Sequence, residues 1–476
     1  MLSNLRIRSV FNFFLIKILM TSFALTLSHL SFAEDSPAEQ LYIKLGEAKT
    51  KKSNLALPPV QFIGSQAGNR KIQKISSELY EVIANDLSVS TYFQMIKPEA
   101  YLEDPMKTSA LPAPGDPKGF KFQNWQTIGT DFLIRLNYSM IGDQINLETY
   151  TYHVPKAQLI FVKKYSSRAK YLRKLAHSFT NELLKTLTGK EGMYNSRLVC
   201  SSDRAGGKAK EVFILDWDGA NIEPITNHKS LSISAAWSPD STKITYTAYT
   251  TRLKTKTRNA DLFIYDFISN KRTLLSYKEG IDSGSNFAPD QKSIFMTVSD
   301  ESNSDIFQID LQGTLLKAIT KGPRGAMNVE PAVSPDGTKI AFSSDRSGQA
   351  MIYIMDIDGS NAKRITFAGK YNSSPSWSPD GKTLAFAGYE NSHFDIFTVS
   401  VDGGDLKRLT SAKRPNGNSA DNENPSFSPD GRFIAFSSDR TGTKQLFIVT
   451  ADGSEERRIT YDSFNYFNPK WSNNIE

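Results

Sequence analysis

A single cysteine, Cys200, stands among 476 residues, so no intrachain disulfide can form. The fold must rest on its apolar core, which is ordinary for a large exported domain. Cys200 lies in the apolar-flanked run Leu198-Val199-Cys200 and is expected to be a packed strand residue, not a reactive thiol. Catalytic signatures are missing as well. There is no G-x-S-x-G elbow, no H-E-x-x-H and no glycine-rich phosphate loop. Beyond the leader, the histidines are His153, His177, His228 and His393, far apart in the chain; His153 and His393 read as strand or loop residues, not ligands. Neither an enzyme nor a bound metal or cofactor is expected. No dense Lys/Arg tract sits on a recognisable nucleic-acid motif, so nucleic acid is not an expected partner.

Long apolar runs are also scarce. Arg6, Arg8 and Lys17 precede an apolar stretch from Ile18 to Leu27, followed by Ser31-Phe32-Ala33 and then Glu34-Asp35. A basic start, a short apolar centre and small residues at −3 and −1 describe a secretory signal peptide over 1–33. The stretch, interrupted by Thr21, Ser22 and Thr26, falls short of the roughly 20 residues that span a bilayer. No transmembrane segment is expected after cleavage. Without a cysteine near the cleavage site, no lipid anchor is expected either. Cleavage removes Arg6, Arg8, Lys17 and no acidic residue, lowering the formal net charge from +7 to +4.

What the chain has in abundance is repetition. Ala236-Trp237-Ser238-Pro239-Asp240 recurs as Asn286-Phe287-Ala288-Pro289-Asp290, Ala332-Val333-Ser334-Pro335-Asp336, Ser376-Trp377-Ser378-Pro379-Asp380 and Ser426-Phe427-Ser428-Pro429-Asp430, with a truncated copy at Lys470-Trp471-Ser472. The apolar anchors are about 47 residues apart on average, the period of four-stranded propeller blades. In one repeat, 339–343, 351–355 and 362–366 are β-rich runs separated by Asp345-Arg346-Ser347-Gly348 and Asp356-Ile357-Asp358-Gly359 turns. The first unit, from Arg197, has three strands and lacks the anchor strand; the last, around Trp471, has only that strand. Together they would complete a sixth blade and close the ring, removing two exposed sheet edges. The expected fold is an N-terminal α/β domain over 34–190, then an all-β six-bladed β-propeller over 195–476 closed by the C-terminal strand.

The N-terminal region has another rhythm. Leu55–Ile63 reads as a strand, and 71–90 places Ile72, Ile75, Leu79, Val82, Ile83 and Leu87 on one helical face. Residues 131–140, 144–153 and 159–165 look like a strand meander. A second helix turns Leu172, Leu175, Ala176, Phe179, Leu183 and Leu187 inward and stops at Gly189. Pro105–Gly119, rich in Pro and Gly, is expected to be a loop.

The recurring polar motifs read as scaffold. In Ser-Pro-Asp-Gly, proline fixes φ, aspartate accepts backbone hydrogen bonds and glycine takes the positive φ of a tight turn. The Asp-x-Asp-Gly segments at 216–219 and 356–359 invite a calcium reading, but the twelfth position holds Asn227 or Phe367 where an EF-hand needs glutamate. Ser-Ser-Asp-Arg at 201–204, 343–346 and 437–440 recurs in equivalent places, as turn bonds or Asp–Arg pairs would. Alternate connections of a four-stranded meander share a face, so both short turn types fall on one side. The opposite face receives the longer segments 250–260 and 411–424, and loop variation on a rigid scaffold is where recognition sits. At the channel mouth on that face the inter-blade links offer His228, Asp282, Asn328, Glu330, Ser373, Glu423, Asn424 and Asn465.

Leader, Leu57-Pro58-Pro59-Val60-Gln61-Phe62, Leu187-Thr188-Gly189 ahead of the propeller, and the repeats in that order resemble the TolB family of the bacterial Tol–Pal system. The resemblance implies a periplasmic, monomeric, non-enzymatic docking subunit. It would link the outer-membrane lipoprotein Pal to the inner-membrane Tol complex, supporting outer-membrane integrity, constriction at division and colicin-like protein import. Asn328-Val329-Glu330-Pro331 is similar to a family segment at the Pal interface, which makes Glu330 and Asn328 the leading contacts; Asp282 and Ser373 match less well. The family's mature N-terminus binds TolA, and here Leu41, Tyr42, Ile43, Lys44 and Leu45 occupy that position, with an alternation suited to strand addition. Residues 34–40 precede that segment as an extension beyond the family pattern. Tail docking and Pal binding are expected to compete. The rival readings are an envelope glycan-binding propeller and a propeller-gated hydrolase.

Overall fold

A computed structural model describes residues 52–475, apart from 66–68, 252–255, 277–279, 300–302 and 324. The expected leader (1–33) and the tail segment 41–45 lie outside the described residues. Two helices carry the apolar faces that their spacing predicts. Arg70–Val89 begins at Asn69, whose side chain accepts the Lys71 N–H at 2.8 Å. Leu172–Thr188 ends at Gly189, in the left-handed conformation at φ 75°. Every inward residue named above on either helix is buried. Each Leu or Ile so covered contributes about 1.5–3 kcal/mol.

These helices share one apolar cluster with Ile134, Leu136, Tyr138, Ile145 and Leu147 of a six-stranded sheet. The expected strand Leu55–Ile63 is instead two short strands, Ser53–Ala56 and Gln61–Phe62, both parallel to Phe132–Ile141. Pro58 and Pro59 break it, because proline has no N–H for the ladder. The expected loop at 105–119 is more ordered than its composition suggests. Ser109–Pro112 pairs with Gly119–Phe120, and a helix follows at Phe122–Thr127. Buried Arg135 ties this segment down, donating to the Pro105 and Thr108 carbonyls at 2.8 Å each.

From Arg197 onward the strands form a β-propeller. Four sheets are separate and four-stranded, and a fifth has eight strands. The eight-stranded sheet consists of two antiparallel meanders, Ser232 to Ser276 and Ile281 to Ala318, joined by one parallel pairing of Ala260 with Ile281. The expectation of separate blades is thus corrected at this seam, where the hairpin Lys243–Thr251/Arg258–Asp266 is long enough to reach the next meander. Much of the loop expected at 250–260 belongs to that hairpin: Thr251 pairs with Arg258. The last strand, Tyr466–Trp471, lies antiparallel to Arg197–Ser202, with Trp471 opposite Leu198.

The repeated motifs are turns. Ser334 Oγ donates to Asp336 Oδ1 at 2.5 Å, the Thr338 N–H reaches the same oxygen, and the Gly337 N–H closes on the Ser334 carbonyl at 2.9 Å. Those bonds hold the Asp336 carboxyl below the ordinary aspartate range, the Ser334 hydroxyl first among them. In the Ser-Ser-Asp-Arg runs, Arg346 and Arg440 turn back onto Asn328 Oδ1 and Asn422 Oδ1 at 2.5 and 2.8 Å. Arg204 instead pairs with Asp462 and donates to the Tyr466 hydroxyl.

The N-terminal part sits on the turn side of the propeller. Arg173 pairs with Asp218 at 2.5 Å and Asp216 at 3.3 Å, Arg457 donates to Asn85, Arg432 to the Ser90 carbonyl, and Lys52 meets Glu455. Leu215, Trp217, Phe433 and Tyr466 join the same apolar cluster as the two helices, so the core runs on across the boundary near 190. No helix among the described residues is long and apolar enough to cross a membrane.

Candidate binding channel

Six strands converge on one cavity of about 440 Å³: Ser232–Trp237, Ile281–Phe287, Asn328–Val333, Tyr371–Trp377, Asn422–Phe427 and Tyr466–Trp471. Each breaks register with its neighbour at the same place, three residues ahead of its apolar anchor. The residue there has positive φ in every strand: Ser234 54°, Gly284 58°, Glu330 57°, Ser374 55°, Asn424 58° and Asn468 51°. A bulge re-aims a side chain out of the ladder, and five of these six hold a non-glycine residue in a region that costs about 1–3 kcal/mol. All six line the channel.

Glu330 is the single acid in this ring. Its carboxylate accepts the Ser374 N–H at 2.6 Å and the Ser374 hydroxyl at 3.2 Å, while its own N–H donates to Thr297 Oγ1 at 3.2 Å. Asn424 Nδ2 in turn donates to Ser374 Oγ at 3.2 Å. Three neighbouring bulges are therefore linked by side chains along the wall. Two residues further on, Asn286, Ser376 and Ser426 accept the backbone N–H of Val333, Phe427 and Trp471, at 3.0, 3.2 and 2.9 Å. These bonds stitch each strand to the next.

Of the mouth residues expected from sequence, Glu330 and Asn424 line this channel. Asn328 and Asp282 are wholly buried and Ser373 nearly so. Asn328 donates to Asp305 Oδ1 at 3.0 Å, where the Thr320 hydroxyl also donates at 2.6 Å. The same device recurs as Asn422 and Thr410 on Asp395. Asp282 accepts from Ser276 at 2.7 Å. His228, half-buried, meets the Tyr246 hydroxyl at 3.1 Å, and burial holds its imidazole below the ordinary histidine range. Glu423 pairs with Lys444, and Asn465 donates to Asp203 at 2.7 Å. Asn328, Asp282, His228, Glu423 and Asn465 therefore tie strand ends together, and Ser373 is packed among them by burial alone.

Sequence reasoning missed Ser234, Gly284, Ser374, Asn468 and Lys470. Aligning the repeats column by column would have found them, since each stands at a fixed offset from a Trp, Phe or Val anchor. Among the described residues no group of three or more His, Cys, Asp or Glu is placed to hold a metal ion. Cys200 is fully buried, and that burial pushes its thiol up, away from reactivity.

An α/β domain seated on the turn side of a β-propeller, with a channel among the converging strands, defines a two-part propeller protein. The family model described as the TolB amino-terminal domain matches residues 41–160, and the TolB beta propeller domain matches 184–475. The chain belongs to the TolB family. It is 32% identical over 284 residues to a Tol-Pal system protein TolB from Desulfosudis oleivorans, covering 60% of this chain and 61% of that one. It is 32% identical over 283 residues to a Protein TolB homolog from Chlorobium luteolum, covering 59% and 60%. The chain thus spans about three fifths of the length of these curated relatives. The crystal structure of TolB from Acinetobacter baumannii superimposes with a TM-score of 0.71 at 22% identity, over 89% of this chain and 97% of that one, a likeness of fold.

Proposed function

We propose that this protein is a non-enzymatic docking subunit of a Tol–Pal system, exported to the periplasm as a monomer. A Pal-like lipoprotein enters the channel mouth, and a TolA-like inner-membrane protein takes the tail 41–45. In this role it serves outer-membrane integrity, constriction at division and protein import. Family membership supports the system. The propeller is read as a closed six-bladed ring, counting the eight-stranded sheet as two blades; the pairing of Tyr466–Trp471 with Arg197–Ser202 supports closure. The observation that carries the docking reading is the bulge ring. A carboxylate, Glu330, is fixed by Ser374 on a strained backbone within the channel. Five of the six strands keep a non-glycine residue at this costly point, one of them the acid Glu330, and that supports a functional surface.

The test is affinity capture from a periplasmic extract with the processed chain and with Glu330→Ala. Recovery of an envelope lipoprotein by the native chain, reduced at least tenfold by the substitution, is expected. Equal recovery by both, or elution of the captured material by free sugar, overturns the reading.

A further inference from the structure

The channel contains a cation that the docking reading does not use. Lys470 stands at the level where three other strands present Asn286, Ser376 and Ser426, each bound to a backbone N–H of the next strand. Lys470 has no acceptor to offer such an N–H, and its ammonium makes no hydrogen bond or ion pair with any described residue. Only the charge of Glu330 acts on it from within the channel, and the two are not in ion-pair contact. Burial holds the ammonium below the ordinary lysine range, with Glu330 opposing that effect. Lys470 is half-buried, and a cation on a cavity wall without a protein partner is open to a counter-charge from a ligand.

The same stretch of wall carries two more polar groups without partners. The Asn468 amide, two residues before Lys470, and the Ser234 hydroxyl on the next strand make no hydrogen bond with the described residues, yet both line the cavity. Positive φ at each turns these side chains out of the ladder. The ammonium, the amide N–H₂ and the hydroxyl on two adjoining strands are donors that no described acceptor takes up. The cavity, at about 440 Å³, has the size of a small-molecule site.

We infer that this wall of the channel, formed by Lys470, Asn468 and Ser234, is a binding site for a small carboxylate. One carboxylate oxygen takes the ammonium and the other the amide and hydroxyl, as charge-assisted bonds that are stronger than neutral ones. Glu330 on another strand sets a limit on the ligand's charge, which favours a monoanion over a dianion.

The test is calorimetric titration of the processed full chain with acetate and with succinate at constant ionic strength, using chloride as the control salt. Saturable binding of acetate, tighter than that of succinate, is expected. It should weaken at least tenfold in Lys470→Met, persist in Lys470→Arg, and tighten in Glu330→Gln, which removes the opposing charge. Asn468→Gly, which suits the positive φ and removes only the amide, should weaken binding severalfold. Folding of each variant is checked by circular dichroism. Absence of saturable acetate binding, equal binding of chloride, or unchanged affinity in a folded Lys470→Met overturns the inference. Affinity unmoved in Glu330→Gln does so too.

Discussion

Gly219 closes the Asp-x-Asp-Gly turn of the first propeller unit at φ 88°, and a Cβ built there would fall 1.8 Å from the carbonyl oxygen of Ile459, just after the outer strand Glu456–Arg458 of the last four-stranded sheet. Gly359 makes the equivalent contact within the array: φ 91°, with a Cβ 2.2 Å from the Ile319 carbonyl oxygen. Gly348 also has positive φ, 97°, but a Cβ there meets open space. These three positions separate two costs. Gly348→Ala loses only the backbone preference, about 1–2 kcal/mol. Gly219→Ala and Gly359→Ala lose that and must also push two units apart, adding about 1–3 kcal/mol for overpacking. Urea unfolding followed by tryptophan fluorescence and by far-ultraviolet circular dichroism measures all three. Both seam variants should lie about 1–3 kcal/mol below Gly348→Ala at unchanged slope. If Gly219→Ala costs no more than Gly348→Ala while Gly359→Ala costs the full amount, the last sheet does not seat on the first in solution. The closed ring would then be wrong.

Two further predictions concern other sites. His177 and Asp86, both buried, meet at 2.8 Å where the two helices pack; burial opposes the charged imidazole, but the carboxylate beside it wins and lifts His177 above the ordinary histidine range, while burial raises Asp86 as well. The raised imidazole holds its proton more tightly in the folded chain, so the stabilisation due to His177 is full below about pH 6 and is lost as pH rises through its elevated titration; denaturation midpoints at pH 6 and 9 should diverge in the native chain and converge in His177→Gln/Asp86→Asn. At Ser234, where the equivalent strand carries Gly284, Ser234→Gly should leave stability within about 0.5 kcal/mol, whereas β-branched Ser234→Val should lose about 2 kcal/mol in thermal melts.

The elements legible in the sequence were those whose side chains repeat with a period. Both long helices, the meander at 131–165 and the propeller strands follow from apolar spacing, because burial selects for it. What escaped has no periodic signature. The break at Pro58-Pro59 is a local backbone veto inside an otherwise strand-like run. The pairing of Ser109–Pro112 with Gly119–Phe120 rests on backbone bonds and on Arg135, a residue of another strand. At the channel, polar residues near the strand starts were expected to face a ligand. Asn328 and Asp282 are instead drawn inward, because a strand end leaves buried polar groups that a short Asn or Asp can satisfy.

The repeats also explain why the channel differs from the rest of the molecule. Turn and anchor positions keep their residue class between units, Ser-Pro-Asp or Ala-Pro-Asp after a Trp, Phe or Val, since each must meet the same neighbour. At the bulge, where the side chain leaves the ladder, the residues are Ser, Gly, Glu, Ser, Asn and Asn, and two residues later they are Ala, Asn, Ala, Ser, Ser and Lys. A requirement for fold alone would favour glycine at every positive φ and a small acceptor at every following position. The two charged exceptions, Glu330 and Lys470, both open into the same cavity, and each sits where the repeat itself gives no reason for charge. Departure from an internal repeat therefore separates ligand chemistry from scaffold within this one chain, and both departures belong to the channel wall.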